Sequence, residues 1–243
     1  MDNNRFMRTE ALLGSKAMDK IKNSTVMIIG LGAVGGYALE ATARAGVGHL
    51  ILVDFDSFDE TNINRQILAL TSTIGKKKTD VAKERVMQIN PDCKVDVADC
   101  FIDASNVKQL LRCKPDFVID AIDSIKPKCE LIKSMIDENI DFISSMGAAL
   151  KTATDTIKIT TLDKTINCSM ARVMRQNLKK MGADIKKVNC VFSSEQCVLP
   201  QNAIIPTEKG KKQILGSLPT ITAIFGLMMA NYVMNKLIKK LEK

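Results

Sequence analysis

Residues 26–36 read VMIIGLGAVGG, four apolar residues followed by glycines at 30, 32 and 35. No other stretch restricts the fold of this chain as strongly. A short run of β-branched and apolar side chains suits a strand buried on both faces of a parallel sheet. Gly30, Gly32 and Gly35 then permit a tight turn and a close backbone approach to a phosphate. A helix over about 34–45 offers its N-terminus to the same phosphate. The next apolar run, 49–53, delivers Asp54 to a strand end, at about the spacing where an acidic residue takes a ribose hydroxyl. Glycine turns are common, so the inference to a nucleotide rests on strand, helix and Asp54 together.

The alternation continues beyond this unit. The pattern predicts a helix over about 77–89 ended by NPD, a short strand near Val95, a helix near Val107, a strand at 117–119, a helix over about 126–138 and a strand at 142–145. Strands alternating with helices predict an α/β fold, a Rossmann-like doubly wound and mainly parallel sheet. From Thr156 onward, IKITTL and NCVFSSE read as strands around a helix near 170–180, a mixed or antiparallel C-terminal extension. The apolar run 218–238 has nearly membrane-spanning length but contains Pro219, Asn231 and Asn235, which predicts a buried C-terminal helix and no membrane partner. The expected organisation is one domain over 1–243, with a nucleotide-binding part at about 20–150 and a substrate or dimer part at about 151–243.

Composition narrows the class. Hydrophobic residues make up 46% and charged residues 26%, values of an ordinary globular chain rather than a disordered one. The seven cysteines form no CxxC pair, and the start of the chain does not read as a signal peptide; a reducing cytoplasm is the expected location. A net charge of +8 favours acidic partners such as nucleic acid. The one histidine, His49, opens a strand and reads as structural, so no Ser/His/Asp triad is expected. Cys190 lies within an apolar strand and reads as a buried structural thiol.

Three further motifs decide what the glycine turn serves: DFDSFDETNINRQ at 54–66, GKKKTDV at 75–81 and DAIDS at 120–124. In this order they closely resemble the ubiquitin-activating-enzyme-like adenylyltransferases, whose bacterial members activate a carboxylate with ATP. The resemblance implies a ribose-binding acid at Asp54, polar and basic ATP contacts at Asn62, Arg65 and Gln66, a phosphate lysine at Lys78, and a magnesium ligand at Asp123, with Gly32 approaching the nucleotide by its backbone. The chemistry explains these types, because a carboxylate attacking the α-phosphate brings two anions together and cations must neutralise the developing charge. Taken singly, the lysines at 76–78 suit a solvated helix start and Arg65 an exposed ion pair; order and spacing favour the site. RFMRTEALLG at 5–14 resembles the segment that, in dimeric members, sends an arginine into the partner's ATP site, with Arg8 matching best and Arg5 close by.

Relatives that adenylate small sulfur-carrier proteins commonly hold zinc between two CxxC pairs, which this chain lacks. Instead INPDCKV, VIDAIDSIKPK, ITTLDKTINCSMARVMRQNLKK and NCVFSSEQ resemble the tRNA threonylcarbamoyladenosine dehydratases, over nearly the whole chain. That branch implies ATP and Mg2+ as cofactors, a tRNA anticodon arm as substrate, a homodimer, a sulfur-transfer accessory protein as a further partner, and no DNA. Some family members carry a cysteine shortly before the C-terminal helix, where KKQILGSLPT at 211–220 has none. The alternative function is adenylation of a sulfur-carrier C-terminus. Arg172, Arg175 and Lys179 share a face of the helix near 170–180, which predicts contact with RNA phosphates.

Overall fold

The computed structural model describes residues 4–198, 204–207, 210–213 and 215–240. Its centre is β1 (Thr25–Ile29), which pairs in parallel with β2 (His49–Val53) on one side and β4 (Phe117–Asp120) on the other. β3 (Lys94–Ala98) extends the sheet beyond β2, and β5 (Phe142–Ser145) extends it beyond β4. β7 (Asn189–Ser193) runs parallel to β5, and β6 (Ile157–Thr161) closes the edge antiparallel to β7. The order β3-β2-β1-β4-β5-β7-β6 changes direction between β1 and β4, the crevice where open α/β sheets bind ligands. The expected parallel sheet and its antiparallel extension are both present.

Alternation along β1 explains the two cores. Val26 and Ile28 join the cluster under α3 (Gly35–Ala45), α4 (Lys78–Ile89) and the C-terminal helix, while Met27 and Ile29 join the opposite cluster under α5 (Val107–Leu111), α6 (Ile125–Asp137) and α7 (Ser169–Lys180). The C-terminal helix, Pro219–Lys239, is long and apolar enough to cross a membrane, yet half of its most apolar window is buried inside the fold. Ile221, Phe225, Met229, Val233 and Leu237 recur every fourth residue and are all fully buried, the stripe of a core helix. At Gly226 this helix meets α3 so closely that a β-carbon would strike the carbonyl of Val34.

Two pieces were not foreseen. The N-terminal segment folds as α1 (Met7–Leu13) and α2 (Ser15–Lys22), where the sequence indicated only an arginine-bearing arm. The strands Ile204–Thr207 and Gly210–Gln213 pair as a separate antiparallel hairpin before the C-terminal helix; numbered β8 and β9, they leave that helix as α8. Ile214 of the 211–220 segment lies outside the described residues.

Candidate nucleotide-activating site

The glycine turn follows β1, and its glycines serve different ends. Gly30 has φ +88°, and a β-carbon there would lie 2.7 Å from the carbonyl oxygen of Ala121, so the turn packs directly on the loop after β4. A β-carbon on Gly35 would strike the carbonyl of Gly30. Gly32 is not crowded by the protein: its nearest neighbour would be Gln66 Nε2 at 3.8 Å, and it lines the cavity at the sheet's C-terminal edge. The missing side chain leaves room for a ligand. Asp54, buried at the end of β2, accepts from Leu31 N (2.6 Å) and Asp56 N (2.9 Å), so its carboxylate fastens the glycine turn while keeping lone pairs toward the cavity.

Around this turn the structure gathers Arg65, Gln66, Lys78 and Asp123 on one cavity of about 940 Å3. Lys78 is 6% exposed, and its ammonium pairs with Asp56 at 3.0 Å, a partner the sequence reading did not single out. Arg65 donates to Thr61 O and Asn64 Oδ1, both at 2.8 Å, which fixes its guanidinium at the rim. Gln66 is buried and its Oε1 has no hydrogen-bond partner among the described residues, an acceptor left for a donor in the cavity. Asp123 is exposed, its carboxylate touched by Ser124 Oγ at 3.2 Å.

Beneath Asp123 lies a fully buried ion pair. Lys128 Nζ meets Asp120 Oδ2 at 2.8 Å and donates to Ile122 O at 2.9 Å, while Asp120 also accepts from Ser144 Oγ (2.7 Å) and Ile122 N (3.1 Å). The ion pair joins the end of β4 to α6, and the other bonds reach Ile122 in the loop carrying Asp123 and Ser144 on β5. The pattern DxxD followed by lysine was visible in DAIDSIKPK; that the lysine turns inward was not.

Other expected site residues are held apart from the cavity. Asn62 stands in a 3-10 turn where its Oδ1 accepts from Asp59 N and its amide reaches Thr61, and it is not among the lining residues. Gly35 lies behind the turn at the start of α3 rather than on the cavity wall. Arg5 donates to Ile89 O at 3.0 Å and belongs to its own chain's fold. Arg8 is exposed on α1, a helix with no buried residue, and makes no side-chain bond among the described residues.

The readings outside the cavity divide likewise. His49, at the start of β2, bonds Thr25 Oγ1 (3.1 Å) at the start of β1 and Asp96 Oδ2 (2.7 Å) midway along β3, away from the strand ends that carry the site. Cys190 is fully buried, and desolvation pushes its thiol up to about 12, which silences it as a nucleophile. On α7 the expected basic face is corrected: Arg172 is exposed, but Arg175 is half-buried and bonds Leu162 O, Thr165 O and Thr165 Oγ1, tying the helix to a turn. Spacing gave the shared face; packing against the 162–165 turn took one of its members inward.

Comparison with known proteins agrees with the geometry. The ThiF family model matches residues 4–243. The chain is 38% identical to the tRNA threonylcarbamoyladenosine dehydratase of Bacillus subtilis, covering 98% of this chain and 96% of that one. It is 36% identical to the Escherichia coli enzyme of the same name, covering 97% and 94%. The crystal structure of that Escherichia coli dehydratase in complex with AMP superposes with a TM-score of 0.91 at 35% identity, covering 99% of this chain and 96% of that one. By contrast, an adenylyltransferase and sulfurtransferase of Drosophila willistoni is 31% identical over 57% of this chain and 30% of its own length.

Proposed function

The chain belongs to the ThiF family, and we propose that it is an ATP-dependent tRNA threonylcarbamoyladenosine dehydratase. The observation that carries this reading is the convergence of the glycine turn, Arg65, Lys78 and Asp123 on one cavity, in a chain that matches dehydratases from end to end. The carrier-protein alternative is disfavoured by the missing CxxC pairs and by a match confined to part of the chain.

ATP is the co-substrate, with its phosphates over the glycine turn and the α3 N-terminus. Gln66 Oε1 accepts a donor from the nucleoside, and Asp54 is placed for the ribose. The threonyl carboxylate attacks the α-phosphorus, forming the acyl–phosphate bond and expelling pyrophosphate. Lys78 and Arg65 neutralise the charge that gathers during this step. No three His, Cys, Asp or Glu side chains cluster as a metal cage among the described residues. Asp123, an exposed carboxylate on the cavity, would hold a magnesium ion, which would supply charge neutralisation at the leaving group. A carbamoyl nitrogen of the same side chain then attacks the acyl carbon, losing its proton as AMP departs. Such intramolecular attack carries effective molarities of roughly 10⁵–10⁸ M, so no enzyme nucleophile is required.

Purified protein incubated with ATP, magnesium and tRNA bearing the uncyclised base should yield a nucleoside lighter by the mass of one water, and only with ATP present. Unchanged nucleoside mass alongside adenylation of a sulfur-carrier C-terminus would replace this function with the alternative.

The same reading makes the enzyme a cytoplasmic homodimer in which Arg8 completes the neighbour's site. Its support is α1, which buries nothing yet exposes Met7 (58%), Leu12 (82%) and Leu13 (36%), while Arg5 is already engaged. Arg8→Ala and Asp123→Ala dimers should each be inactive, and mixed dimers should regain up to half the activity, since one site then holds every group. Verified mixed dimers as inactive as their parents rule out exchange in trans.

A further inference from the structure

The cavity continues past the nucleotide. Along the sheet its lining begins with Gly32, Asp54 and Lys78 over β1 and β2, passes Asp123 after β4, and ends at Lys151, Cys168 and Cys197 beyond β5 and β7. Its volume, about 940 Å3, lies at the top of the range of roughly 300–1,000 Å3 for small-molecule sites. The far end opens into a groove of about 320 Å3 that shares Cys168, Ser169 and Cys197 with the cavity and adds Arg172 and Gln196.

Three loops wall this end, and they are bonded to one another. Lys151, 2% exposed, donates to the carbonyls of Asn167 (3.3 Å) and Glu195. The Glu195 carboxylate accepts from the backbone N–H of Ala153 (3.0 Å) and Thr152 (2.8 Å), bonds that hold it below the usual carboxylate range. Asn167 Nδ2 returns a bond to Ser194 O at 2.8 Å. The groove is therefore a built feature with fixed walls.

We propose that this groove is the entrance for the modified nucleoside: its threonyl and carbamoyl groups occupy the far end of the cavity, and Arg172 meets a phosphate of the RNA at the mouth. The inference rests on the dehydratase reading. In-line displacement sets the attacking carboxylate opposite the departing pyrophosphate. With the phosphates over the glycine turn, the carboxylate must come from the β5 and β7 side, where the groove opens. Arg172 is exposed and carries no ion pair among the described residues, so its charge is available to an anion, whereas Arg175 in the groove wall is spent on carbonyls.

Cys197, exposed at the junction of groove and cavity, provides the test. In a Cys113→Ser background, which removes the other exposed thiol, the protein is labelled with a bulky maleimide, with a single label on Cys197 verified by peptide mass. The labelled enzyme should lose dehydration by about tenfold or more while its ATP affinity stays within about twofold. Protein also carrying Cys197→Ser, referred to its own untreated rate, should ignore the reagent. Arg172→Glu should raise the KM for tRNA by about tenfold and reduce the salt dependence of binding. Full dehydration after complete labelling overturns the entrance, and so does loss of ATP binding, which would mean the two ends are not separate. An unlabelled enzyme that binds ATP but never dehydrates the nucleoside overturns the dehydratase reading itself, and the entrance with it.

Discussion

Lys128, fully buried under the nucleotide end of the cavity, faces the carboxylate of Asp120 at 2.8 Å, whereas Lys151, buried at the far end, faces the backbone carbonyls of Asn167 and Glu195. The first lysine neutralises a charge inside the sheet. The second joins loops that lie 16 and 44 residues apart in the chain. A fixed reaction such as phosphoryl activation can be served by groups pinned to strand ends, while a seat for a bulky nucleoside has to be assembled from segments far apart in the chain. The two lysines are the points at which each arrangement can be broken.

The largest effect should come from Lys128→Met. It leaves Asp120 as a buried carboxylate without its cation, which costs about 3–5 kcal/mol of stability measured by denaturant unfolding. Adding Asp120→Asn should recover much of that loss, because the uncompensated charge is then gone. Lys151→Met leaves only two carbonyls unsatisfied, so its cost should be about 1–3 kcal/mol. Its kinetic effect should fall on the KM for tRNA rather than on ATP affinity. If Lys151→Met destabilises as much as Lys128→Met, or weakens ATP instead, the two ends do not differ in the way their partners indicate.

The smallest effect concerns Asp56. Its pair with Lys78 must open or rearrange when phosphate arrives, and the Asp56 side chain is 47% exposed, so the pair is worth about 0–1 kcal/mol. Asp56→Asn should therefore tighten ATP binding, by no more than about fivefold. Weaker ATP binding in calorimetry would mean that Asp56 works in the occupied site, beside the phosphates, and not as the resting partner of Lys78.

Much of the nucleotide end was legible in the sequence because its signals are local. Gly30 follows its strand, Asp54 ends the next, and Asp123 lies three residues past Asp120, so spacing alone delivers them to one edge of a parallel sheet. Asn62, which the family resemblance adds, bonds within the cap of its own turn. The far end gave no such signal. Lys151, Asn167 and Glu195 are separated by 16 and 44 residues in the bonds that join them, and each looks like an ordinary surface residue in the linear order.

By itself the sequence determined the layered α/β architecture, the glycine turn and the burial of Cys190, because each follows from period, turn chemistry or composition over a few residues, while the motifs for carboxylate activation were legible through their family resemblance. Tertiary structure alone decided which charges would be spent internally. It turned Lys128 and Lys151 into the interior, bound Arg5 to the end of α4 and Arg175 to a turn, and left Arg8 and Arg172 exposed. The physical reason is desolvation: a lysine or arginine can be buried only where carbonyls or a carboxylate from distant segments converge on it, and that convergence exists only in the folded chain.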